Sequence, residues 1–119
     1  MEKVNLAEKF SRVREYWSPK ILAEVNDTYV KAVKFQGEFV WHFHEHEDEL
    51  FLVTKGTMRM RFRDGDVLVH PGEFVLVPHG VEHMPVAEGE VEVILIEPKS
   101  TLNTGNVKNE RTLPVLEKI

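Results

Sequence analysis

Four residues of this chain have the side chains and the spacing of a metal site. His42 and His44 stand at i and i+2, so on an extended segment both imidazoles leave the same face. Imidazole is a good ligand for borderline first-row metals, and two on one pleat begin a site. Glu49 follows a short polar turn at 45–48, and on an antiparallel partner its carboxylate can return to the histidine face. His83, beyond the Pro78-His79-Gly80 turn, can add a fourth ligand from a distant strand. Three imidazoles and one carboxylate leave part of an octahedral shell open, as a catalytic or ligand-binding metal needs.

The remaining histidines and acids read as bystanders. His46 extends the i, i+2 series but falls in the acidic turn, where solvation is the better reading. His79 reads as a turn residue near the rim and His70 as a strand end. Glu45, Glu47, Asp48 and Glu49 form an acidic run without the spacing or glycine of a calcium loop.

The elements that must position the four residues are mostly strands. A short N-terminal helix is expected first, with Asn5 as cap, Glu8 completing a capping box, and Leu6, Phe10 and Val13 as its docking stripe. Pro19 marks its limit. From Ile21 the period becomes two, and 21–25 with 28–35 reads as a hairpin across Asn26-Asp27. Further strands are expected at 38–44, 49–54, 57–63, 67–70, 74–77, 83–86 and 91–97. The connectors are Lys55-Gly56, Asp64-Gly65, Pro71-Gly72, Pro78-His79-Gly80 and Glu88-Gly89. Many short strands without intervening helices mean an all-β antiparallel sandwich or barrel. The expected organisation is one domain: a helical segment at 1–20, the β unit at 21–98 and an extended tail at 99–119.

Parity assigns the faces. Met58, Met60 and Phe62 point inward while Arg59, Arg61 and Arg63 point out. Val40 shares the face of His42 and His44, and Phe51 and Val53 that of Glu49. Val40, Phe51, Met58, Met60, Phe62 and Val93 are therefore the expected pocket lining, apolar around one polar centre. No inward general base stands out, and the outward arginines argue against a phosphorylated substrate. On the opposite face, Phe39, Trp41 and Phe43 with Leu50 and Leu52 make an apolar patch. Either the N-terminal helix or a second copy of the chain must cover it, and a homodimer is the expected cover.

Composition bounds the function. A net charge of -5 offers no basic footprint for nucleic acid. No apolar run reaches the ~20 residues that span a bilayer. The chain has no cysteine, which excludes disulfides and thiolate ligands and fits a cytoplasmic protein.

Two motifs resemble those of the cupins. His42-x-His44-x4-Glu49-x6-Gly56 is similar to the first cupin motif, and Gly72-x5-Pro78-x-Gly80-x2-His83 to the second. The chain departs from that pattern where Gln36 and then Gly37 precede the histidines, and where Ala87 replaces a frequent asparagine. Trp41-His42, Asp48 to Phe51 and the stretch from Glu97-Pro98 to Gly105 resemble the single-domain bacterial branch often labelled mannose-6-phosphate-isomerase-like. The resemblance implies a double-stranded β-helix (jelly-roll) barrel, one divalent transition metal per chain (Mn, Fe, Ni or Zn) on His42, His44, Glu49 and His83, and a small-molecule ligand. It implies either a small metalloenzyme for a sugar or organic acid, with isomerase, lyase or dioxygenase chemistry, or a non-catalytic module that anchors its ligand on the metal.

Overall fold

Strand pairing accounts for most of the chain. The computed structural model describes residues 1–119 and contains α1 (Leu6–Phe10), β1 (Lys20–Val25), β2 (Thr28–Glu38), β3 (Glu49–Lys55), β4 (Met58–Phe62), β5 (Gly65–Val69), β6 (Phe74–Val77) and β7 (His83–Pro98). Every named strand pair is antiparallel. The sheet runs β1-β2-β7-β3-β6, and β4 joins β7 and carries β5. The expected all-β jelly-roll with a short N-terminal helix is thus what the chain forms.

Its interior follows parity. Val33 and Phe35 of β2, Phe51 and Val53 of β3, Met58 and Met60 of β4, and Val91, Val93 and Leu95 of β7 form one buried core. A second, smaller cluster lies outside the sheet, where Phe10 and Val13 cover Leu22, Ala32, Ile94 and Leu52. Asn5 caps α1, its Oδ1 accepting from the Glu8 amide at 3.0 Å. The Glu8 carboxylate turns to Arg12 instead of closing the capping box, and α1 ends before Val13.

Three expected elements come out differently. The segment 38–44 is not a strand: β2 ends at Glu38, and 39–48 is irregular apart from one bridge between His42 and His83. The C-terminal tail supplies the missing partner, since the Phe43 amide donates to Asn106 Oδ1 and the Asn106 amide to the Phe43 carbonyl. Secondly, Glu88-Gly89 is not a reversal. β7 continues through it because β2 pairs along both halves, and Glu88, Gly89 and Glu90 bulge opposite Gln36, between Phe35↔Val91 and Gly37↔Ala87. Thirdly, the β4–β5 turn sits one residue earlier than expected. Phe62 pairs with Gly65, which leaves Arg63-Asp64 as the loop, and Gly65 takes φ +146° at its end.

Candidate metal centre

Each of the four residues is placed by backbone pairing. His42 and His83 exchange both backbone hydrogen bonds, at 3.1 and 2.9 Å. His44 is tied by its carbonyl to the Gly80 amide at 2.7 Å, which brings the 39–48 segment against the turn before β7. Glu49 opens β3 opposite Val77 and His83 opens β7 opposite Phe62. All four side chains are buried.

Their donor atoms converge. One nitrogen or oxygen from each of His42, His44, Glu49 and His83 falls in a group spanning no more than 4.8 Å. Glu49 Oε1 stands 3.2 Å from His44 Nε2 and 3.4 Å from His83 Nε2. These three atoms are buried without an aligned hydrogen-bond partner. Leaving such atoms unpaired is costly, and the protein repeats it three times at one point. With metal–ligand bonds of ~2.1 Å, neighbouring ligands on an octahedron stand ~3.0 Å apart. The observed separations fit a single ion held among these atoms.

Second contacts orient the rings. Nδ1 of His42 lies 2.9 Å from the Val40 carbonyl and Nδ1 of His83 lies 2.9 Å from the Val81 carbonyl. A carbonyl can only accept, so both Nδ1 atoms carry a hydrogen, which leaves Nε2 as the nitrogen of each ring available to a metal. Burial above all, and then the charge of His83, push His42 down to about 4, against the Val40 carbonyl and Glu49. At neutral pH His42 is therefore the unprotonated ligand form. Burial would raise Glu49, but the contacts of His44, His83 and Glu97 outweigh it and hold the carboxyl well below the usual range.

A cavity of ≈ 30 Å³ adjoins the centre, room for roughly two or three water-sized groups. Its polar lining is His42, Glu49, Glu97 and Asn103, and its wall includes Trp17, Phe35, Phe39, Phe51 and Leu95. Trp17, on a left-handed φ of +59°, stacks on Phe35 at 4.3 Å and on Phe39 at 4.8 Å. Of the expected lining only Phe51 reaches this cavity. Met58, Met60 and Val93 fill the core, and Phe62 packs half-buried against it. Val40 is half-buried outside the wall because the irregular 39–48 segment breaks strict alternation. For the same reason Phe39, expected outside, faces the cavity, with its ring 5.4 Å from that of His42.

Trp41 is covered by the arginines of the neighbouring hairpin, with the Arg63 guanidinium 3.8 Å from its ring centre. His46 and His70 are exposed, and exposed His79 bonds Asp48 through its amide and its Nδ1, both at 2.8 Å. None of the three joins the cluster.

Sequence reasoning passed over Glu97 and Lys31. Glu97 shares the inward parity of Val91, Val93 and Leu95, and Lys31 that of Val33 and Phe35. A charge on an inward parity was the available signal. The Lys31 ammonium lies 2.8 Å from Glu97 Oε1, while Oε2 has no partner. Burial, then the charge of Glu49 and contact with it, raise the Glu97 carboxyl well above the ordinary range, and Lys31 opposes them.

An all-β barrel with three histidines and one glutamate converging at its interior defines a class. The cupin domain family matches residues 31–98, and the chain belongs to it. It is 45% identical to a cupin-2 domain containing protein from Shewanella frigidimarina, whose crystal structure superposes with a TM-score of 0.79 over 80% of this chain and 93% of that one. The structure of protein NMB1881 from Neisseria meningitidis is 32% identical, with a TM-score of 0.75 over 82% and 99% of the two chains. An uncharacterized Bacillus subtilis protein, YdbB, is 35% identical over 66% of this chain and 71% of its own length.

Proposed function

We propose that this cupin is a small metalloenzyme that holds one divalent transition metal on His42, His44, Glu49 and His83 and acts on a small polar molecule. The observation that carries this reading is the meeting of His44 Nε2, Glu49 Oε1 and His83 Nε2, all buried and none hydrogen-bonded. A bound ion would supply Lewis acidity toward a ligand oxygen, which serves isomerase, lyase or oxygenase chemistry according to the metal. The protein's own part is to exclude water with the Trp17, Phe35, Phe39 and Phe51 wall and to keep His42 neutral. The unpartnered Oε2 of Glu97 beside the centre favours an enzyme over a module that only anchors its ligand. Elemental analysis of untagged protein, followed by substrate screening with the metal found, tests the reading. Stoichiometric iron points to oxygen chemistry, zinc or manganese to isomerase or lyase chemistry, and no metal at all overturns it.

The working unit in this proposal is a cytoplasmic homodimer of a single domain, its segments 1–20 and 99–119 packed on the barrel at 21–98. The outer sheet face supports the dimer. Val30, Ile96, Leu50 and Leu76 lie side by side across β2, β7, β3 and β6, with Phe74 beside them. Phe10 and Val13 cover the neighbouring Ala32, Ile94 and Leu52 but leave Ile96 38%, Leu76 52% and Phe74 63% exposed. A contiguous apolar row of this kind is covered in most soluble proteins.

A further inference from the structure

The polar atoms of the cavity can be accounted for one by one. His42 and Glu49 belong to the metal cluster. Trp17 Nε1 donates to the Gln36 carbonyl at 2.9 Å, and Asn103 lines the cavity with its amide nitrogen donating to the Arg111 carbonyl and its oxygen accepting from the Leu113 amide, both at 2.8 Å, so the tail holds both of its ends. Glu97 Oε1 is paired with the Lys31 ammonium, whose charge it balances. Glu97 Oε2 is left: buried, on a residue 2% exposed, lining the cavity and without a partner. Register places it beside the centre, since Leu50 pairs with Ile96 and the next step brings Glu49 next to Glu97 on the inner face.

We infer that Glu97 Oε2 is the ligand-recognition group of this site, and that it takes a hydroxyl of a small, otherwise apolar molecule whose other oxygen reaches the metal. The inference rests on the metal reading above and narrows its substrate class. A hydroxyl both donates and accepts, so it satisfies a carboxyl oxygen with or without its proton. Around it are rings, prolines and Leu95. A sugar would bring several hydroxyls to a wall with one unpartnered polar atom outside the metal cluster, and each unmatched one would lose its water. A phosphate would meet two carboxyls and no cationic side chain in the lining. A small α-hydroxyketone matches what is there.

Hydroxyacetone and 2-butanone test this as a pair, because they differ by a hydroxyl in place of a methyl of similar size. Binding of each to the Mn-loaded protein is read from paramagnetic relaxation of the probe protons, with metal content measured on the same samples. Hydroxyacetone should bind wild type at least ~10-fold tighter than 2-butanone, as one hydrogen bond to a buried carboxyl provides. Glu97→Gln should keep a preference for the hydroxyl. The double variant Lys31→Met with Glu97→Leu, which strands no buried charge, should lose it while retaining manganese. Equal binding of the two probes to wild type, or an undiminished preference in the double variant, overturns the inference. Failure of wild type to load manganese or any other divalent metal overturns the metal reading beneath it.

Discussion

Lys31 Nζ and Glu97 Oε1 lie 2.8 Å apart with both side chains only 2% exposed, a salt bridge sealed inside a barrel. Such a pair is a weak source of stability, since desolvation offsets most of its attraction, yet breaking it strands a charge. Lys31→Met alone should therefore destabilise the protein by about 3–5 kcal/mol, whereas Lys31→Met with Glu97→Leu should cost far less. Urea unfolding of both variants checks this. Equal losses would mean that the pair is not isolated from solvent.

Acid should act on the metal-free protein through His42. Its folded value is about 4 against an ordinary 6.5, so between those limits the unfolded chain takes up a proton that the folded chain refuses. Stability then falls as pH drops from 6.5 to 4, by about 3 kcal/mol in all, and this contribution is constant above the window. Glu49, held low, adds a loss at more acid pH. Chelator-treated wild type and His42→Gln, unfolded in urea at pH 7 and pH 4.5, should differ in slope, the variant losing less. Parallel losses would rule out a buried neutral His42.

Gly105 couples the tail to the centre. At φ +56° a side chain is strained there, and an added Cβ would press on the Phe43 carbonyl and the His42 ring. Gly72 has a similar φ of +84° but open space around it. Gly72→Ala should cost only the backbone strain, of order 1 kcal/mol. Gly105→Ala should in addition weaken metal binding by ~10-fold or more, as loss of ligand orientation does. Metal titration of the two variants separates the effects, and equal affinities would show that the tail does not hold His42.

The outer face of β3, β6 and β7 predicts the assembly. Sedimentation equilibrium at micromolar concentration should give twice the 13.8 kDa of one chain, and Leu76→Asp should halve it without unfolding, since Leu76 is half exposed. A wild-type monomer would leave the exposed row without a partner of its own kind.

What the sequence made legible was whatever depends on local period and turn chemistry. Alternation in 57–63 and 91–97 gave the core, and the two spaced motifs gave the four converging residues. Less legible was whatever depends on a partner far along the chain. The 39–48 segment alternates like a strand, but it meets Asn106 of the tail and bends, so Phe39 turned inward and Val40 did not. Glu88-Gly89 has the composition of a turn, but β2 on its flank keeps β7 continuous. Glu97 and Lys31 were readable in principle from inward parity, and each needed the other to be believed.

The most direct measurement is an equilibrium metal titration of chelator-treated protein, wild type beside His44→Ala. The account predicts one divalent ion per wild-type chain. In His44→Ala, affinity should fall by more than the ~10–100-fold that a merely supporting residue contributes, with the fold retained by circular dichroism. A folded His44→Ala chain that binds the ion as tightly as wild type would contradict it.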